Sequence, residues 1–279
     1  VPSALITGAS TGIGRATALR LDADGWRIFA GVRKEEDADS MRKAGSERLT
    51  PVMLDVTDAE AIAAAAEMLA GELGAAGLDG LVNNAGIGIP GPLETMPIED
   101  FRRGIEVNLT AQVAVTQAML PLIRKARGRI VFISSIGGRI AFPLGGVYHA
   151  AKFGLEAVGD AFRQELRPWG ISVSLIEPGT IATEIWDRSE READAMKKQA
   201  PARDELYGKA MAAYRKATRS LAAKGIPPAK VAEAIEHALT SPRPRTRYLV
   251  GRDAKLQARA KIFIPARVFD RVVARVMGL

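Results

Sequence analysis

"SALITGASTGIGRATALRL", residues 3–21, runs from an apolar strand pattern through a glycine turn into a helical pattern. SALIT (3–7) is a continuous apolar run, as in strands covered on both faces. Gly8, Gly12 and Gly14 fall in the turn. Without Cβ atoms they allow tight backbone geometry and close approach of an anion to helix N-terminal amides. An ordinary turn into a helix would use glycines too, and the spacing is G-x3-G-x-G, not the commoner G-x-G-x-x-G. The setting, strand before and helix after, gives the loop its weight as the start of a βαβ unit.

The alternation continues along the chain. Strand patterns cover 27–32, 49–55, 78–84, 128–135, 171–178 and 247–251, and helical patterns cover 12–24, 57–74, 99–126, 147–168 and 228–240. Asp58 and Pro228 stand where helix starts favour them. Repeated strand–helix–strand units predict an α/β protein, a doubly wound parallel sheet of about seven strands with helices on both faces. We expect one domain over 1–251, interrupted by a polar, helix-prone insertion at 181–226 that is too long for a connector. A basic amphipathic tail, 252–279, follows.

Composition excludes several chemistries. The chain of 279 residues has no cysteine, hence no disulfide, thiolate metal site or cysteine nucleophile, and only two histidines, His149 and His237. No apolar run is long enough to span a bilayer and no leader pattern opens the chain, so a cytoplasmic location is expected, with membrane association open through the tail. Val1 leads almost at once into a strand pattern, so a few preceding residues, with an initiator methionine, are expected. The net charge of +7 is concentrated after residue 240, where ten Lys/Arg stand against two Asp. Without interleaved aromatics or a binding module, nucleic acid is not expected as a partner.

The order TGxxxGIG (7–14), NNAG (83–86), SS (134–135), YHAAK (148–152) and PGTIAT (178–183) resembles the short-chain dehydrogenase/reductase family, over roughly residues 3–183. The resemblance implies a Rossmann-type fold and an NAD(P)-dependent oxidoreductase acting on CH–OH/C=O groups. It implies cofactor contacts from Gly8, Ser10, Thr11, Gly12, Ile13 and Gly14. Asp55 and Val56 would hold the adenine edge, Asn84, Ala85 and Gly86 would lie along the cofactor, and Pro178, Gly179, Ile181 and Thr183 would flank the nicotinamide carboxamide. At the end of the second strand, an acid selects NAD and a basic residue accommodates the NADP phosphate. By family spacing that position is Val32, followed by Arg33, which can pair a phosphate bidentately. NADP(H) is therefore the expected cofactor, with NAD(H) open because Glu35 and Glu36 lie close by.

Tyr148 and Lys152 are neighbours at i and i+4 on a helix. A phenol with a pKa of about 10 is a poor proton donor or acceptor at neutral pH, and a nearby ammonium lowers that value. The resemblance makes Tyr148 the acid/base and Lys152 its modulator and ribose ligand. It makes Ser135 the donor to the substrate oxygen and Asn108 the residue that helps a water link Lys152 to solvent. His149, at i+1, is read as packing or surface.

For the substrate, Trp186, Ile185, Met196, Tyr207, Met211 and Tyr214 in the insertion, and Gly138, Ile140, Phe142, Leu144 and Gly145 before Tyr148, are candidate linings. They favour a small apolar alcohol or ketone, steroid-, retinoid- or long-chain-like. The tail carries a pattern of Val268, Phe269, Val272, Val273 and Val276, with Arg267, Arg271 and Arg275 on another face. It fits packing on its own domain or a partner subunit, an anionic membrane surface, or the substrate mouth. The resemblance implies a homodimer or homotetramer built on 99–126 and 147–168. The rival readings are a non-catalytic dinucleotide-binding scaffold and a membrane-surface protein on the same fold.

Overall fold

The structure, a computed structural model, describes residues 1–186, 189–192, 194 and 202–277. Its seven strands are β1 (Ser3–Ile6), β2 (Arg27–Val32), β3 (Leu49–Met53), β4 (Gly80–Asn83), β5 (Arg129–Ile133), β6 (Ser172–Pro178) and β7 (Arg247–Val250). They form one parallel sheet in the order β3-β2-β1-β4-β5-β6-β7. The strand period of two sorts the core into two layers. Leu5, Phe29, Leu81 and Phe132 point to one face, where helices α3 (Ala59–Leu73), α5 (Ala111–Ala126) and α6 (Gly146–Glu165) pack. Ile6, Ile28, Ala30 and Val131 point to the other, under α1 (Gly12–Ala23) and α2 (Glu35–Ala44). Asp58 caps α3 as expected, accepting from Glu60 and Ala61 N–H. The direction of winding reverses between β1 and β4, which opens the crevice where such sheets bind ligands.

Two segments differ from the sequence reading. Helix α2 was not expected: it buries only Ala38 and Met41, one helical turn apart, in an otherwise charged segment. The single helix expected over 99–126 is α4 (Ile98–Ile105), one π-turn (Glu106–Thr110) and α5. Asn108 explains the π-turn: its Nδ2 donates to the Gly104 carbonyl at 3.0 Å, which an α-helical ladder would give to the Asn108 N–H. The insertion contains α7 (Ala202–Ala222), and a parallel bridge between Ile181 and Ile226 joins its ends. Met196 lies outside the described residues.

After α8 (Pro228–Thr240) and β7, the tail forms α9 (Arg252–Phe263) and α10 (Ala266–Met277), parted at Pro265. Ala254 and Ala258 of α9 are buried against Ile136 and Ile140, and Phe269 of α10 packs on Phe142. The valine pattern of α10 is split by helical phase. Val273 faces inward with Met211 and Tyr214, while Val268 and Val272 face solvent. No helix among the described residues is long and apolar enough to cross a membrane.

Candidate active site

The loop after β1 is tight. Gly8 and Gly12 take left-handed φ of 63° and 55°, which side chains disfavour. A Cβ on Gly14 would lie 2.3 Å from the Gly8 carbonyl oxygen and 2.5 Å from Asn84 Nδ2. The first turn of α1 carries no acidic residue, so its amides present an unopposed positive end. This glycine cradle at a helix N-terminus fits a pyrophosphate.

The NNAG segment is fastened to that loop from below. Asn84 Nδ2 donates to the carbonyls of Thr7 (2.9 Å) and Gly8 (3.0 Å), and the Asn84 and Ala85 N–H groups donate to Thr7 Oγ1. From α5, Gln112 Nε2 donates to the Ala85 carbonyl, and Thr116 Oγ1 accepts from Asn83 Nδ2. Asn108 grips the next residue, exchanging two 2.9 Å hydrogen bonds with the Ile87 backbone. A Cβ on Gly86 would lie 2.9 Å from Asn108 Oδ1. Thr7, Gln112 and Thr116 escaped the sequence reading because nothing in their spacing marks them.

At the end of β2, Val32 is buried in the core and Arg33 is exposed. Among the described residues Arg33 makes no ion pair, while Glu35 is turned to Arg42 along α2 at 2.9 Å. Burial opposes ionisation of Asp55, but hydrogen bonds from the Thr57 N–H and hydroxyl, with the Arg33 charge, hold its carboxyl below the usual range. The side chains of Val56 and Ile181 are in the core, 6% and 5% exposed, so only their backbones can face a cofactor. Thr183 overlies the glycine loop, its methyl 3.0 Å from a Cβ built on Gly12. Gly179 leaves room for Asp253 of α9, whose Oδ2 accepts from Thr180 N–H at 2.7 Å.

Ser135 and Tyr148 meet above the end of β5. The turn Ile136–Gly138 starts with the Gly137 N–H donating to Ser135 Oγ at 3.0 Å. Tyr148, half-buried in the first turn of α6, lies close enough to Ser135 for the serine hydroxyl to favour its ionisation. Lys152, 4% exposed, donates to the Ile133 carbonyl at 2.7 Å, and its Nζ lies 5.8 Å from the centre of the Tyr148 ring. Burial pushes the Tyr148 phenol up, and Ser135 opposes that shift. Burial also lowers Lys152 to about 8, with Glu156 resisting. His149 is a packing residue: it is buried, and its Nδ1 lies 2.9 Å from the Gly137 carbonyl, bracing the Ser135 turn. Leu144 holds a left-handed φ of 66°, a strained conformation of the kind found at working sites.

A cleft of about 210 Å³ is lined by Pro90, Trp186 and Tyr214 together with the charged Glu190, Arg215 and Arg219. Trp186 Nε1 donates to the Ile181 carbonyl at 2.7 Å, which fixes the indole beside the cleft. Tyr214 is close enough to Tyr148 that their charges would interact. Ile140, expected in the lining, is 2% exposed because α9 covers it. Among the described residues no cluster of metal-ligating side chains is present.

The short chain dehydrogenase family model matches residues 2–194. Retinol dehydrogenase 5 of Mus musculus is 39% identical over 279 residues, covering 98% of this chain and 87% of the relative. The 17-beta-hydroxysteroid dehydrogenase type 6 of Bos taurus is 41% identical, covering 97% and 87%. A solved short-chain dehydrogenase from Streptomyces avermitilis superposes with TM-score 0.78 at 30% identity, covering 100% of this chain and 95% of that one. One from Burkholderia cenocepacia, in complex with NADP, gives 0.73 at 25%, covering 99% and 97%. The sheet, the glycine cradle and these matches agree, and the chain belongs to the short-chain dehydrogenases, NAD(P)-dependent oxidoreductases acting on small hydrophobic alcohols and ketones.

Proposed function

We propose that the protein is an NADP(H)-dependent oxidoreductase for an apolar alcohol/ketone pair of steroid-, retinoid- or long-chain type, with Tyr148 as general acid/base. The observation that carries this reading is Ser135 beside Tyr148 with Lys152 buried one helical turn below. The glycine loop, the α1 amides and the 83–86 segment would hold the dinucleotide. When bound, the nicotinamide exchanges a hydride with the substrate carbon. Ser135 donates to the substrate oxygen and fixes its position. Tyr148 gives its hydroxyl proton to that oxygen during reduction and takes it back during oxidation. Lys152 stabilises the phenolate, and Asn108 secures the wall beside it. Arg33, exposed and making no ion pair among the described residues, supports the phosphate-bearing cofactor, and the NADP complex of the Burkholderia relative is consistent with that. Names of relatives acting on retinol and hydroxysteroids support a bulky apolar substrate beside Trp186 and Tyr214. Tyr148→Phe should bind NADPH like the parent and lose about 10²–10⁴-fold in turnover of a hydroxysteroid or retinol. Retained turnover would remove Tyr148 from the role. Exposed Phe153 on α6 suits the homodimer or homotetramer expected from the resemblance.

A second reading concerns where the protein works. Ile262 and Phe263 are 76% and 82% exposed, at the elbow between α9 and α10, with Lys261 and Arg267 nearby. Apolar side chains set among cations suit an anionic membrane surface. Flotation with phosphatidylserine vesicles tests this: Ile262→Ser/Phe263→Ser should stay at the bottom of the gradient. Flotation equal to the parent's would dismiss it.

A further inference from the structure

The helical face that begins at Tyr148 continues past Lys152. Positions 148, 152, 156 and 160 follow at intervals of four, so a phenol, an ammonium and two carboxylates stand along one face of α6. Lys152 and Glu156 are both buried, 4% and 9% exposed. A buried carboxylate needs a partner, and β7 supplies it. Arg247 gives Nε to Glu156 at 2.9 Å and a terminal nitrogen to Asp160 at 2.7 Å. Arg163 joins Asp160 at 3.0 Å. From β6, fully buried Glu177 lies 3.3 Å from Arg247 Nε and accepts from Arg139 at 2.7 Å. Arg139 belongs to the turn after Ser135. That turn closes over the cluster because Gly138 has no Cβ, which would sit 3.0 Å from both Glu156 Cγ and the Lys152 carbonyl oxygen.

We propose that Glu156 is a positioning residue for proton transfer: its carboxylate, fixed in place by the ion pair with Arg247, keeps the Lys152 ammonium charged beneath Tyr148. The proposal rests on the reading of Tyr148 and Lys152 given above. Removal from water favours a neutral lysine, and an opposite charge one helical turn away opposes that. A charged Lys152 lowers the cost of the Tyr148 phenolate, which accepts the substrate's hydroxyl proton during oxidation and is left behind when Tyr148 gives its proton during reduction; a neutral one does not. The other two carboxylates are less suited. Asp160 stands two turns away and is shared by Arg163 and Arg247, and Glu177 is engaged by Arg139 and Arg247. Burial is the larger influence on Lys152 and Glu156 the opposing one, in accord with this arrangement.

The test is an NMR titration of the full chain carrying ¹³C-lysine, with the Lys152 signal assigned by its loss in Lys152→Arg. Glu156→Gln should move the Lys152 midpoint down by about one pH unit, and Glu156→Asp should restore most of it. In kcat/KM for oxidation of a hydroxysteroid, the alkaline fall should move by the same amount. An unchanged Lys152 midpoint in folded Glu156→Gln overturns the proposal and leaves the Tyr148 assignment standing. Turnover retained by Tyr148→Phe overturns that assignment, whatever the titration gives. Should Glu156→Gln not fold, the parent and Glu156→Asp decide. A parent midpoint below about 7 refutes a Lys152 held charged, and one near the ordinary lysine value of about 10.4 refutes the balance with burial. A midpoint between them that is lowered only slightly in Glu156→Asp supports the proposal, and one left unmoved or lowered by a full unit there overturns it.

Discussion

Gly14→Ala adds one methyl group at the tightest point of the glycine loop. Its Cβ would meet the Gly8 oxygen at 2.3 Å, where ordinary contact begins at 3.4 Å, so something must move by about 1 Å. Gly8 cannot yield easily. Its own φ is 63°, and Asn84 holds its carbonyl at 3.0 Å. Asn84 is the second atom in the way, at 2.5 Å, and its displacement would break the bonds that fasten the 83–86 segment. Overpacking of this kind costs about 1–3 kcal/mol. At about 2–4 °C per kcal/mol for a chain of this size, Tm should fall by roughly 2–12 °C. If the same strain is felt by the bound pyrophosphate, the Kd for NADPH should rise by roughly 5- to 150-fold. Gly71→Ala is the control. It lies inside α3 with nothing within 4 Å of its added Cβ, so it should stabilise by about 0.5–1 kcal/mol and leave Kd alone. Thermal melts and NADPH fluorescence titrations of the three proteins suffice. Parent-like Tm and Kd in Gly14→Ala would mean that the loop is not closed as described.

Two further outcomes follow from charge. Arg33→Ser should weaken NADPH by about tenfold or more and change NADH little, measured by paired titrations; equal losses for both cofactors would dismiss the phosphate role. Lys152 is depressed from 10.5 to about 8, so between those values the unfolded chain binds more protons than the native one and native stability rises with pH. The parent should therefore gain in Tm relative to Lys152→Met as pH climbs from about 8 to about 10, whereas a constant difference would contradict the buried charge.

The parallel sheet was legible because its strands are buried on both faces and read as unbroken apolar runs, as in SALIT and in Ile130–Ile133. The Tyr148–Lys152 pair was legible because an i, i+4 spacing is a local property. The parts that escaped are those made by distant partners. Thr7 matters through Asn84, Gln112 through Ala85, and Glu156 through Arg247, 91 residues away. Helix α2 escaped for the opposite reason: it puts only two side chains, Ala38 and Met41, into the core. The π-turn at Asn108 arises from one side-chain amide competing with the ladder, which no periodicity records.

Asp253 stands in the first turn of the tail yet receives the Thr180 amide, so the end of the chain braces the loop that follows β6. Cutting the chain after Gly251 would remove more than a surface appendage. It would release the Thr180 amide and uncover Ile136 and Ile140 beside Ser135. A truncated protein would therefore conflate lost surface attachment with a slackened catalytic wall. Those two effects separate only when single exposed side chains, such as Phe263, are exchanged and the backbone of α9 is kept whole.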